Sequence, residues 1–362
     1  MKRPADNLTV ANSGARGTGR MGRGALSLPS GRIVSWRKPV AALLAVAMAA
    51  AGGSAANAAD PPSEHPVAAF QQREAYLYAI GYRLALANVA FCQLQQHSIG
   101  VLLHDAQAYP DPVVVRAVLG LTDDIGVQAV APQSPAAKAG VAANATLVSI
   151  NGARLWDSEN EKGEGWERAA RLNRALGSPL PVQLAWKTPD GRSGDTSIQP
   201  IPVCASDFEL KAENDTAIAD GKRVLVGAEF PAFAYGEDEL AAAVAHEMAH
   251  NLLGHIDFLD RAGRKRDLVR LSERDADRLM PWLLANAGYD PAAATRFMRR
   301  WGPRHAGGIF RKRTHDGWDE RVDLIDAEVK AINRLRGDQG HAPVDWSVLF
   351  TPLLDVTAAQ QP

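Results

Sequence analysis

The chain has 362 residues, with 40 Lys and Arg against 41 Asp and Glu, 46% hydrophobic residues and two cysteines. That composition belongs to an ordinary globular protein with about 300 residues left for two modest cores, and it excludes a disulfide-rich mini-scaffold. The net negative charge that remains once the basic N-terminus is set aside also disfavours general nucleic-acid binding.

Arg37 and Lys38 precede a thirteen-residue apolar run, Pro39 to Ala51, and the small residues Ala56-Asn57-Ala58 follow. This reads as a cleavable signal peptide over residues 1–58 rather than a membrane anchor, since the run is too short to span a bilayer. The Gly- and Arg-rich first twenty residues are long for such a leader and leave Met21 as an alternative start. Loss of the leader removes eight Lys and Arg and one Asp, taking the net charge from −1 to about −8. A periplasmic or secreted location follows as the expectation.

Residues 59–112 read as an N-terminal helical segment, with 66–98 one long amphipathic helix. Cys92 lies near its end and Cys204 about a hundred residues later. In an oxidising compartment the pair is expected to form a disulfide, the alternative being that Cys92 is a buried thiol among Val89, Ala90, Phe91 and Leu94.

Between them, residues 113–203 carry GVQAVAPQSPAAKAGVAANATLVSINGARL (Gly126 to Leu155), then WERAARLNRAL and the strand-like PVQLAWKTPDGR. The SPAAKAG turn and the Ser149-Ile150-Asn151-Gly152 hairpin make this stretch resemble a bacterial PDZ domain. Asn144-Ala145 stands where many such domains have Gly-Asp, and asparagine is the best substitute for glycine in a left-handed turn. The resemblance implies binding of an extended peptide, often a free C-terminus, by strand addition beside the helix Trp166 to Leu176; a purely structural insert with its groove closed remains the other reading. The acidic stretch Asp157 to Glu167 reads as a solvated loop and helix start.

Lys222 to Gly227 is a short β-branched run after the turn residues Ala219-Asp220-Gly221, read either as an edge strand that binds substrate or as an ordinary strand. A helix over Asp238 to His255 carries His246-Glu247-Met248-Ala249-His250. Residues four apart share a helix face, so His246 and His250 can both point at one metal ion, with Glu247 beside them as general base. Glu273, twenty-three residues beyond His250, begins a Glu-x-x-x-Asp step on a second helix over Arg264 to Met280 and is the expected third ligand. Asp277, one turn on, is expected to fix the tautomer of a ligating histidine. A third histidine ligand would need glycine at 253 and histidine at 256, where Leu253 and Ile256 stand; His255 falls about 140° round a continuous helix and is expected to face elsewhere.

The order NDTAIADGKRVLVGAEF, EDELAAAVAHEMAH, ERDADRLM, AGYDPAAATRFMRRW and THDGWDERVDLI, from Asn214 to Val329, resembles the HtpX-like and CaaX-prenyl-protease-like gluzincin metallopeptidases. The resemblance implies one Zn2+ on His246, His250 and Glu273, Glu247 as base, Asp277 behind the ligands, and His315 and Arg321 at the positions of the family's downstream histidine and arginine. Either could steady an oxyanion, or His315 could be a surface residue and Arg321 the partner of a carboxylate. Two departures stand out: His315-Asp316 replaces the usual His-Pro, and Pro281 falls where it would kink or end the second helix.

The expected fold class is therefore α+β: a PDZ-like β-rich domain, then a mainly helical metallopeptidase domain with a small sheet over 204–335, and a tail over 336–362 expected to be partly disordered. The expected function is zinc endopeptidase acting on envelope or misfolded proteins, with protein or peptide partners and no nucleic acid. Two alternatives are a peptide-binding adaptor or chaperone with structural zinc, and a latent protease whose His315 loop fills the open metal position. The basic clusters Arg261 to Arg270 and Arg311 to Arg313 read as peripheral contacts to anionic lipid or as solvated helix faces.

Overall fold

A computed structural model describes residues 65–155, 165–305, 317–339 and 342–356; the leader, most of the acidic stretch, His315 and Arg311 to Arg313 lie outside them. The first helix, α1 (Pro66–Ala87), starts with proline in its first turn and a His65 cap that accepts the Val67 N–H at 3.2 Å. It buries Leu77, Ile80 and Leu84. The expected single helix over 66–98 stops here. Asn88 turns its amide back on the Leu84 and Leu283 carbonyls, at 2.9 and 3.1 Å, and accepts from Trp346 and Asn286. An asparagine that competes this well for backbone partners ends a helix. The chain then runs extended as β1 (Gln95–Ser98).

Next comes an antiparallel sheet of β2 (Val101–Asp105), β3 (Ile125–Val130), β4 (Thr146–Ile150), β5 (Ala153–Arg154), β6 (Val182–Lys187) and β7 (Ser193–Ile198). Three helices accompany it: α2 (Pro112–Leu119), α3 (Pro135–Lys138) and α4 (Gly165–Leu176). Its main path runs β2-β3-β4-β6-β7, with β5 folded onto β4. The sheet thus begins at Val101, before the expected boundary at 113, because β2 pairs with β3. The local turn chemistry follows the letters. Ser134 caps α3 through the Ala137 N–H, Asn144 is left-handed at φ 65°, and Asn151 and Gly152, at 51° and 80°, turn β4 into β5. The inward face holds Val101, Leu103, Val127, Leu147, Leu184 and Trp186 as one apolar core.

β8 (Ile201–Cys204) returns to pair with β1, and Cys92 is bonded to Cys204 across a separation of 112 residues. The bridge closes the two ends of the antiparallel unit and removes about 4–5 kcal/mol of unfolded-chain entropy in the loop-closure picture.

The remaining strands, β9 (Asp207–Lys211), β10 (Ala217–Ala219) and β11 (Arg223–Gly227), form a three-stranded sheet in the order β10-β11-β9. Of the two readings of Lys222 to Gly227, the ordinary strand holds: the turn at Asp220-Gly221 folds Ala217–Ala219 back on it, so β11 is central and β10 lies at the edge of this sheet. After this sheet come α5 (Glu237–Leu252), α6 (His255–Ala262), α7 (Arg266–Asn286), α8 (Ala293–His305), α9 (Trp318–Gln339) and α10 (Trp346–Leu349), of which α5 packs on β10 and β11 and carries α7 and α8 behind it. α5 buries Leu240 to Ala245 and Met248 against Ala276, Leu279, Met280 and Leu283 of α7. α7 does not end at Pro281. Proline removes one intrahelical hydrogen bond, and the burial of Trp282, Leu283 and Leu284 beyond it carries the helix on to Asn286.

α1 lies against both sheets. Glu74 joins them, accepting from Gln128 of β3 at 2.5 Å and from the Leu210 N–H of β9 at 3.2 Å. The tail is not loose over 342–356. Trp346, Phe350 and Leu354 are buried, and Leu353 and Leu354 donate their main-chain N–H groups to Asp275 at 2.8 to 2.9 Å. Among the described residues no helix is long and apolar enough to cross a membrane.

Candidate metal centre

His246 and His250 stand one turn apart on α5, both almost fully buried, with ring centroids 5.1 Å apart. Glu273 reaches them from α7, its two oxygens each 3.6 Å from one histidine Nε2. The three donor atoms lie within 4.8 Å of one another. Zinc bonds of about 2.0–2.1 Å in tetrahedral array separate neighbouring ligand atoms by roughly 3.3–3.5 Å, so the donor set has the chemistry and nearly the spacing of a metal site with one position left for water or substrate.

Behind the three donors sits a cluster of buried charged groups. Asp277, fully buried, places Oδ1 3.1 Å from His246 Nδ1. Arg321 of α9 donates Nε and Nη2 to the two oxygens of Asp277, at 2.5 and 2.7 Å, and lies 3.6 Å from Glu273. Of the two roles left open for Arg321, its position is that of a carboxylate's partner. Burial opposes ionisation of Asp277, but Arg321 and His246 outweigh it and hold the carboxyl below its ordinary range. Burial also opposes a charge on His246, yet Asp277 and Glu273 overcome it and raise the imidazole to about 10. These acidic groups therefore draw positive charge to the point where the donors converge. His250, dominated by burial, is lowered to about 4.

Glu247, next to His246 on α5, is only partly exposed and feels the charges of His246, Glu273 and Arg321. Burial raises its carboxyl to about 7, with His246 pulling it down and Glu273 pushing it up, and the Ala219 N–H of β10 is among its partners. The pairs Thr216/Gly227 and Asp220/Arg223 turn their main-chain groups into the sheet, so by alternation Ala217 and Ala219 turn theirs to the open edge beside this carboxylate. Asn251 ties the edge to the metal helix: it accepts the Gly221 N–H at 2.9 Å and donates to Ser206 at 2.9 Å.

Three residues here were not assigned from sequence, or were assigned otherwise. Asn251 and Asp275 bear no motif, and only an inward polar position on a helix could have marked them. His255 was expected to face elsewhere. It is instead fully buried with Nδ1 3.1 Å from His250 Nδ1, because α5 stops at Leu252 and Gly254, at φ 67°, turns the chain into α6.

The groove beside β2 is a second candidate surface. β2 is an edge strand, and its Leu103 N–H and carbonyl are both taken by the Asn173 side chain of α4, at 2.8 and 3.0 Å. Arg168 fastens the same helix to Asp105 of β2. The amide of Asn173 thus occupies the pairing position that an added strand would use. In the basic stretch after α5, Arg264 pairs with Asp260 at 2.6 Å.

Neither protein-family models nor curated protein sequences match this chain.

Proposed function

We propose that this chain is a zinc-dependent endopeptidase of the gluzincin type, acting in an oxidising extracytoplasmic compartment such as the periplasm. The observation that carries the reading is the convergence of His246, His250 and Glu273 beside Glu247. Among the described residues three protein groups converge and leave a fourth position open, as catalytic sites require, whereas structural zinc sites are closed by four. That distinction favours an enzyme over an adaptor with structural zinc.

Zinc held on the three ligands supplies a Lewis acid for a peptide carbonyl and lowers the pKa of water. Glu247 takes the proton of the attacking water and returns it to the leaving amide nitrogen. Arg321 and Asp277 keep the His246 ring in place and balance charge beneath it. The open edge at Ala217 and Ala219 suits an extended substrate, because main-chain pairing accepts many sequences. That breadth fits a protease of misfolded or envelope proteins, the role the HtpX-like resemblance suggests. The Cys92–Cys204 bridge supports the compartment, since structural disulfides persist where thiols are oxidised.

For the PDZ-like unit the observation favours a different reading from the one its sequence suggests. With Asn173 seated on Leu103, the β2 edge is closed, and the unit serves as a rigid support for α1 unless α4 moves. Peptide recognition there, through free C-termini or otherwise, requires that displacement.

The test is to express the full chain, quantify bound metal and compare casein cleavage with Glu247→Gln. One zinc per chain in both proteins, with cleavage lost by about 10²-fold or more in the variant, supports the reading. Zinc without cleavage in either moves it to the latent or adaptor alternatives, and absence of zinc ends the site assignment.

A further inference from the structure

We infer that His255 is a positioning residue that fixes the tautomer of His250 and so presets its Nε2 as a metal ligand. This deepens the metal-centre reading and rests on it. For His250 to offer the Nε2 lone pair, its proton must sit on Nδ1, and that atom faces His255 Nδ1 at 3.1 Å. The donor is then His250 Nδ1–H, the acceptor His255 Nδ1, and the proton of His255 sits on Nε2. The opposite assignment puts a proton on His250 Nε2, where it would block the metal.

Two observations separate this role from simple filling of space. Among the described residues His255 Nε2 is buried without a hydrogen-bond partner, so the ring keeps a polar atom unsatisfied there that an apolar residue of similar size would avoid. Such a cost is retained where the other nitrogen has a task. The chain also spends a special backbone position on it: Gly254 holds φ +67°, and a side chain there would meet nothing within 4 Å, so it is the conformation and not crowding that calls for glycine. That turn brings residue 255 back under His250 instead of letting it run round the helix.

The two histidine ligands are thereby held differently. His246 leans on a carboxylate balanced by Arg321, while His250 leans on a neutral imidazole. Ring nitrogens of ligating histidines usually meet a carboxylate, a carbonyl or water, and loss of such a partner typically weakens metal binding about 10–100-fold.

The experiment uses the full chain as wild type, His255→Leu and His255→Asn. Zinc affinity is measured by chelator competition, and nitrogen-15 shifts of the histidine rings are recorded in the zinc-loaded wild type. The leucine variant should bind zinc about 10–100-fold more weakly while its metal-free thermal unfolding stays near the wild-type temperature, because the loss of the unpartnered His255 Nε2 offsets the His250 Nδ1 that the substitution leaves unpaired. Asparagine, which can set its amide oxygen near the place of Nδ1, should restore most of the affinity. In wild type, His250 should carry its proton on Nδ1 and His255 on Nε2. Unchanged affinity in His255→Leu, equal loss in both variants, or a proton on His255 Nδ1 overturns the inference while leaving the metal centre standing. A wild type that binds no zinc overturns the centre and this inference together.

Discussion

Arg321→Met removes a guanidinium that donates to both oxygens of fully buried Asp277, at 2.5 and 2.7 Å, and lies 3.6 Å from Glu273. Methionine keeps the unbranched stem, so the perturbation is loss of charge rather than of packing. Removing one partner of a buried ion pair costs about 3–5 kcal/mol, because the other charge stays behind. His246 Nδ1, 3.1 Å from Asp277, carries part of the balance, which sets the expectation near the lower bound, about 3 kcal/mol. The pH dependence has a definite sign. In wild type Asp277 is held below its ordinary range, so its contribution is present above the unfolded carboxyl value of about 3.9 and fades as pH falls. In the variant burial dominates, the carboxyl rises and the folded state takes up a proton. The destabilisation should therefore be larger at pH 7.5 than at pH 5. Urea unfolding in the presence of a chelator, followed by tryptophan fluorescence at both pH values, measures it without a contribution from metal. Arg321→Met with Asp277→Asn should recover a substantial part, since a neutral amide needs no counter-charge. A loss under about 1 kcal/mol at pH 7.5, or an equal loss at both pH values, refutes the ion-pair account.

Glu74, which joins the two sheets, is raised by burial from its ordinary 4.5 to about 7. The folded state holds this proton more tightly than the unfolded chain, so stability should fall as pH climbs through that window, by on the order of 3 kcal/mol. Glu74→Gln should flatten the slope and be the more stable protein at pH 8. Its amide oxygen keeps the Leu210 N–H, and its nitrogen donates to Gln128 Oε1, which has no partner among the described residues of the wild type, once that amide flips. Parallel curves of melting temperature against pH for the two proteins would count against this. At the β2 edge, Asn173→Ala should speed amide hydrogen exchange at Leu103 by roughly 10-fold, the equivalent of one lost hydrogen bond, with β3 and β4 unchanged. Unaltered exchange at Leu103 would mean that the edge is sealed by something other than this side chain.

Much of the centre was legible because it is local. Helical periodicity alone puts His246 and His250 on one face and Glu273 and Asp277 on another, and the two faces meet because each is flanked by the buried apolar residues that pack α5 on α7. The left-handed Asn144, the Asn151-Gly152 hairpin and the pairing of Cys92 with Cys204 were legible for the same kind of reason, a residue type suited to one backbone state or one bond. What sequence spacing could not decide was which segments meet across long stretches of chain. Leu353 and Leu354 reach Asp275, Gly254 turns His255 under His250, β2 joins a sheet beyond the boundary expected for it, and β10 rather than β11 takes the open edge. Packing also overrode a local rule at Pro281, where burial of the following turn outweighed one missing hydrogen bond. The sequence by itself determined the candidate donors, since the face of a helix is set within two turns. Only the tertiary structure decided their supports, since a buried polar atom takes its partner from whatever chain the whole core brings alongside it.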